Sequence, residues 1–436
     1  MKKAQRNIIA SLLIIFSFPL AIQAQEKGKV TIVDDEECGC ELVFIDGIQT
    51  IERDGLYGFK REDGTVFVEA KYKFVGEFKD GFCIVYSDET HCGIINRAGK
   101  EIVPSKYDEA TLPREGMIRV RKDDRWGFFD TMGHQVIDFQ YRTVSDFSEG
   151  LAVVNVDPDS MTVLYGFIDK ENRFVIPAKY EFAMTFNEGF AVVKDYDRYG
   201  MIDKSGHEVM PCKYIMVSSM IDGRSFAFDS QTELAAMFDQ NMKRLTEFKY
   251  TDITYYSEGY YKALIGNKYT YLDKKGHECF GLYDDVSGFV EGYSMVKKDG
   301  KYGIINNKGK IILPIEYDNS GWRAMEYIYS ENLAMVEKNG KYGFVNKQGE
   351  IVIPLIYESA QHCTEGLIPV QRNGIWGFID NEGQEVSPFV FQAASYFKWG
   401  RAEVVYNNVT YKINPEGECV KNCRTYPKNL KFNFKK

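Results

Sequence analysis

The sequence predicts an all-β chain, a tandem array of about ten three-stranded antiparallel units of roughly 35 residues each. Three observations predict it. One phrase, an aromatic, a glycine, two apolar residues and an Asx turn, recurs along the chain, as in "YGFVNKQGEIVIP" from Tyr342 and "WGFIDNEGQEVSP" from Trp376. The composition is rich in what short strands and tight turns need, with 29 Tyr, 30 Phe and 38 Gly in 436 residues. The interval also hardly varies. Aligned on the first aromatic, the units begin at Tyr57, Cys92, Trp126, Tyr165, Tyr199, Ala235, Tyr269, Tyr302, Tyr342, Trp376 and Thr410. These are ten full units and a partial one.

Each element of the unit follows from local chemistry. The anchor strand carries adjacent apolar residues, as in Phe167–Ile168, Ile304–Ile305 and Phe378–Ile379, so neighbouring sheets must cover both its faces. The glycine beside the anchor (Gly166, Gly200, Gly303, Gly343, Gly377) admits a close backbone approach. Four residues past the anchor, ten of the eleven units place Asp or Asn, whose side chain can bond the amides of a turn. A second strand follows, which Pro104, Pro177, Pro211, Pro314, Pro354 and Pro388 are expected to close. A second aromatic stands fifteen residues after the anchor in most units, including Tyr72, Tyr107, Tyr214 and Tyr357. Nine residues later comes a glycine, usually after an acid; the eighth unit has Asn332 instead. A third strand then turns back into the next anchor. Such fixed spacing is what packed strands demand, because one inserted residue reverses every later side chain.

Domain boundaries come from the ends and the breaks. Residues 1–24 read as an export signal, with Lys2, Lys3 and Arg6 before an apolar core and Ala24 at a cleavage point. Residues 25–45 form an N-terminal segment with "CGC", the repeats run over 46–417, and 418–436 is a basic tail. Removing the signal moves the net charge from −9 to about −12, which disfavours nucleic acid as a partner. The tail is expected to be solvated or to cap the acidic body. No transmembrane span is expected after the signal. An open or superhelical array is favoured; a closed β-propeller is the alternative, or two five-unit propellers divided at a weak seam near 216–250.

"RWGFFDTMGHQV" (125–136), "WGFIDNEGQEV" (376–386) and "YGFIDKENRFVIPAKYEFAMTFNEGFAVVK" (165–194) resemble the WG, or KWG, repeat of bacterial proteins. Most units here have Tyr where that family favours Trp, and units two and six lack the aromatic. The resemblance implies an all-β repeat fold and interaction roles, with no catalytic residues to carry over.

Chemistry-bearing residues give little sign of catalysis. Glu149, Glu188, Glu258, Glu291 and Glu365 recur once per unit, so each needs only a local explanation, whereas a glycosidase needs one pair at a set separation. His134, His207 and His277 occupy the same turn position in alternate units and read as solvated. No cofactor or metal site is expected. Nine cysteines suit an oxidising compartment: Cys38 with Cys40 and Cys419 with Cys423 could pair locally or tie the two ends together, and Cys83 with Cys92 across a hairpin. Their spacing is poor for zinc. The insertion 318–332 gathers Trp322, Arg323, Tyr327 and Tyr329, residue types that dominate recognition hot spots, and is the expected contact patch. The function expected is an exported, non-catalytic scaffold for a protein or peptide partner, in the periplasm, at the cell surface or secreted; the alternative is a glycan- or cell-wall-binding module.

Overall fold

The computed structural model describes residues 30–35, 40–156, 163–318, 328–421, 423–427, 430 and 432–433; in the strands at 30–44 and at 421 only the backbone is described. The export signal, Cys38, Trp322, Arg323 and Tyr327 lie outside the described residues. The chain divides into two compact units, Met1–Lys179 and Tyr180–Lys436. The seam expected near 216–250 lies inside the second of these.

Among the described residues, eleven antiparallel sheets of three to five strands follow one another, with strand order equal to chain order in every sheet. The fifth is representative: Phe182–Ala183, Phe190–Asp195, Arg198–Asp203 and Glu208–Tyr214. The sequence reading gave three strands per unit. It missed the two-residue strand just after the second aromatic, too short to show any alternation. It also placed the break between units one element late, because the strand after Glu–Gly pairs with the next anchor (Val193 opposite Gly200).

Adjacent apolar residues on the anchor strand do feed separate cores. Phe128 packs with Ile137, Phe147, Val154 and Ile168, and Phe129 with Ile94, Val103, Ile118 and Val120. In the second unit Ile304 and Ile305 divide in the same way. Within each compact unit, such a sheet is one slice between two cores shared with its neighbours.

Proline does not close its strand, as the sequence reading had it. Tyr199 faces Tyr214 and Met201 faces Met210, so two anchor residues span four on the partner strand. Pro211 sits in this bulge, where its missing N–H is not needed. The bulge arches over the anchor glycine. A methyl carbon on Gly200 would lie 2.5 Å from the Met210 carbonyl oxygen and 2.8 Å from Cys212 N. The sixth and tenth units lose the ladder here. Buried Thr246 and Ser387 compensate, each accepting a backbone N–H through its hydroxyl, from Met237 at 2.9 Å and Phe378 at 2.7 Å.

The tail does cap the last sheet. Tyr426 and Phe432 are buried against Phe378, Phe391, Phe397 and Tyr411. Phe432 N donates to Glu416 O at 3.0 Å, Asn433 N to Val386 O at 2.8 Å, and Tyr426 Oη to Gly417 O at 3.1 Å. Cys419 and Cys423 form a local disulfide, so they do not tie the chain ends together. Cys83 and Cys92 are not bonded to each other. Cys83 lies opposite Ile95 and Cys92 opposite Tyr86, so the register separates them, and each is buried in a different core. Burial pushes the Cys83 thiol up to about 12. Iodoacetamide at pH 8 is therefore expected to label neither Cys83 nor Cys92 in the native protein and both after denaturation. Mass mapping that found a Cys83–Cys92 bridge would contradict this register.

Candidate interaction surface

Three sets of recurring side chains bind backbone rather than presenting free chemistry. The Asx of the turn is the first. Asp203 Oδ1 accepts the N–H of Ser205 at 2.9 Å and of His207 at 3.0 Å, and Asn306 and Asp380 do the same in their own units. The Ser205 hydroxyl and these amides outweigh burial and hold the Asp203 carboxyl below its usual range. His134, His207 and His277 sit exposed on these turns. Nδ1 of His134 and of His277 lies 3.0 Å from the carboxylate of its own turn's aspartate, and His207 Nδ1 lies 2.8 Å from Ser205 Oγ.

The Glu–Gly pairs are the second set. Glu188 (φ +52°) and Gly189 (φ +85°) are the two central residues of a type I′ hairpin turn. Asn332 (φ +68°) fills the glycine position after Glu331, since Asn tolerates the left-handed region. In five units the carboxylate caps the equivalent turn one unit on, whereas Glu291 accepts Lys347 Nζ at 2.7 Å. Glu188 accepts Asp222 N at 2.6 Å and Gly223 N at 2.7 Å; Glu115 accepts Glu149 N at 2.6 Å and Gly150 N at 2.9 Å. Glu258, Glu331 and Glu365 reach Gly292, Gly366 and Gly400 in the same way. At the last of these turns Trp399 (φ +56°) replaces the glutamate; its side chain cannot accept an amide, and the residue is 77% exposed.

The third set escaped the sequence reading. An acid or amide directly after the second aromatic caps the hairpin leading into the anchor strand: Asp108 Oδ2 accepts Asp123 N at 2.9 Å, Asp318 Oδ2 accepts Asn339 N at 2.7 Å, and Gln392 Oε1 accepts Asn408 N at 2.7 Å. Its recurrence after Tyr was the available signal.

On three of the four-stranded sheets the registers align a row of four side chains across the strands, with Tyr141, Tyr214, Tyr302 and Tyr317 buried and the cations partly exposed. In the third sheet it reads Glu109, Arg121, Trp126, Tyr141; in the fifth Phe182, Lys194, Tyr199, Tyr214; in the eighth Asp285, Lys297, Tyr302, Tyr317. A cation flanks the anchor ring each time, with Arg121 at 5.9 Å, Lys194 at 6.0 Å and Lys297 at 5.1 Å from the ring centroid. Around Trp126 the row deepens into an open cleft of about 680 Å³, lined also by Asp123, Asp124, Arg125 and Arg142. The sequence reading named Trp126 only as a unit anchor. The missed signal was Arg119 and Arg121, two apart on one strand and so on one face.

Of the expected contact patch, Tyr329 is described. It is 9% exposed and packs edge-on against Tyr293 at 5.0 Å, as part of the core. Its aromatic identity serves packing. Among the described residues no group of three or more His, Cys, Asp or Glu is placed to hold a metal ion, and no helix is long and apolar enough to cross a membrane.

Small sheets in tandem, joined by shared cores and carboxylate caps, define a β-repeat scaffold. Nine stretches match the family described as WG containing repeat: residues 57–89, 93–126, 126–157, 165–198, 237–269, 270–302, 302–342, 342–374 and 376–409. They cover well over half of the sequence, and the chain belongs to this family of WG-repeat proteins. No curated protein matches it. Among solved structures it is similar to a eukaryotic initiation factor, at 11% identity and TM-score 0.37 over 71% of this chain and 95% of that one. It is also similar to BamB from Moraxella catarrhalis, at 13% identity and TM-score 0.30 over 64% of this chain and 92% of that one. At these TM-scores the likeness carries no functional argument.

Proposed function

We propose that the protein is an exported, non-catalytic scaffold that binds a protein or peptide partner along its rows of anchor aromatics and flanking cations. One observation carries this reading. The turn carboxylates of Glu115, Glu188, Glu258, Glu331 and Glu365 are spent on backbone amides, while Lys194 and Tyr199 in the fifth sheet and Lys297 in the eighth stay partly exposed at equivalent strand positions. Aromatic and basic side chains in register suit an extended partner of acidic or aromatic character. Export rests on the basic, then apolar, N-terminal 24 residues, and cell fractionation with N-terminal sequencing tests it directly.

The partner reading is tested by placing a photo-crosslinking residue at position 196, beside the fifth row, and exposing the purified protein to envelope extract. A discrete adduct is expected, weakened at least tenfold by Lys194→Glu with Lys297→Glu while circular dichroism stays unchanged. An adduct indifferent to both charge reversals would contradict the assignment. The glycan reading is favoured by one separate observation, the cleft around Trp126.

A further inference from the structure

We infer that the cleft around Trp126 is a binding site for a neutral oligosaccharide. Its volume of about 680 Å³ falls among small-molecule sites. Its lining is of a particular kind. Arg121, Arg125 and Arg142 present guanidinium groups, which only donate hydrogen bonds, and Glu109 and Asp124 present carboxylates, which only accept them. A sugar hydroxyl does both, so vicinal hydroxyls can bridge a guanidinium and a carboxylate together. The indole supplies an apolar plate for the C–H face of a pyranose ring.

Other ligand classes fit less well. With Asp123 counted, three carboxylates offset the three guanidiniums, so no net field draws in a phosphate or an acidic peptide. An apolar peptide would desolvate these charged groups without giving them hydrogen bonds in return.

The site is held on one side and loose on the other. Arg119 donates to Val144 O at 3.1 Å, pairs with Asp146 at 2.6 Å, and lies 5.3 Å from the Trp126 ring, which fixes the plate. Asp108 pins the hairpin that carries Asp124. Arg121, by contrast, stands 3.4 Å from both Glu109 and Asp124, long for a charge-assisted bond and readily exchanged for a hydroxyl. At the same place in the fifth sheet Lys194 closes on Asp197 at 2.6 Å.

The test titrates the purified mature protein with chitotriose, maltotriose, cellotriose and xylotriose, read by calorimetry and tryptophan emission. At least one sugar is expected to saturate with Kd between about 10 μM and 1 mM. Arg121→Ala and Glu109→Ala are each expected to weaken it at least tenfold, and Trp126→Tyr, a residue most units carry at this position, at least threefold. Absence of saturation by every sugar up to about 10 mM would overturn the assignment. So would unchanged affinity in both Arg121→Ala and Glu109→Ala, or displacement of the sugar by inorganic phosphate or polyglutamate. The partner reading rests on the fifth and eighth rows, so a failure here leaves it standing.

Discussion

Gly93→Ala is expected to destabilise the compact unit Met1–Lys179 by about 3 kcal/mol, the upper end of what forced overpacking costs. Gly93 lies on an extended anchor strand, so the cost does not come from an unusual φ. It comes from the arch of the partner strand. The added methyl carbon would stand 2.4 Å from Val103 O, 2.6 Å from Ser105 N and 2.7 Å from Pro104 C. All three are backbone atoms in a bulge that the fold needs, and none can swing aside as a side chain would. Gly116→Ala is the control. That glycine has φ +80° in an open turn with nothing within 4 Å, so its alanine bears only the left-handed penalty of about 1 kcal/mol. Urea unfolding of the two variants gives the comparison. Equal midpoints would show that the arch yields freely and that the anchor glycine is not a packing requirement.

Phe432→Ala is expected to cost about 3 kcal/mol, the range for deleting a buried aromatic ring. The ring is 7% exposed, with its centroid 5.3 Å from Phe378 and 6.4 Å from Phe391, and it rests on Gly417, whose Cβ position it would overlap. In a chain of sheets joined by shared cores, stability is largely a sum of neighbour interfaces, and an uncapped end frays first. The loss should therefore fall on residues 376–421, read as earlier proteolytic cleavage and faster amide exchange there. Exposed Arg424→Ala, in the same tail as Phe432, should stay within about 0.5 kcal/mol of the parent. A Phe432→Ala protein as resistant as the parent would mean that the tail merely lies on the surface.

The repeat, its strands and the covering of both anchor faces were legible because period and alternation are properties of sequence. Phe128 and Phe129, adjacent and both apolar, could only serve two cores. The two-residue strands were not legible, since Phe182–Ala183 has no pattern to read. Nor was the role of proline, because Pro211 looks like a strand end until its partner register is known. Tyr329 misled for a related reason: an aromatic in an insertion reads as exposed, and the packing against Tyr293 that buries it is a tertiary fact. The cleft hides in plain residues. Arg121, Trp126 and Glu109 are far enough apart in sequence that only the pairing of three strands sets them side by side.

The central claim is that the recurring phrase is a unit of construction in which turn carboxylates such as Glu188 cap the turn of the next unit. Amide hydrogen exchange in Glu188→Ala, followed by mass spectrometry, tests it most directly. The claim predicts that protection falls at Asp222 and Gly223, thirty-four and thirty-five residues away, while the turn at Gly400, capped by Glu365, keeps its parental rate. Unchanged protection at Asp222 and Gly223, in a folded variant, would contradict it.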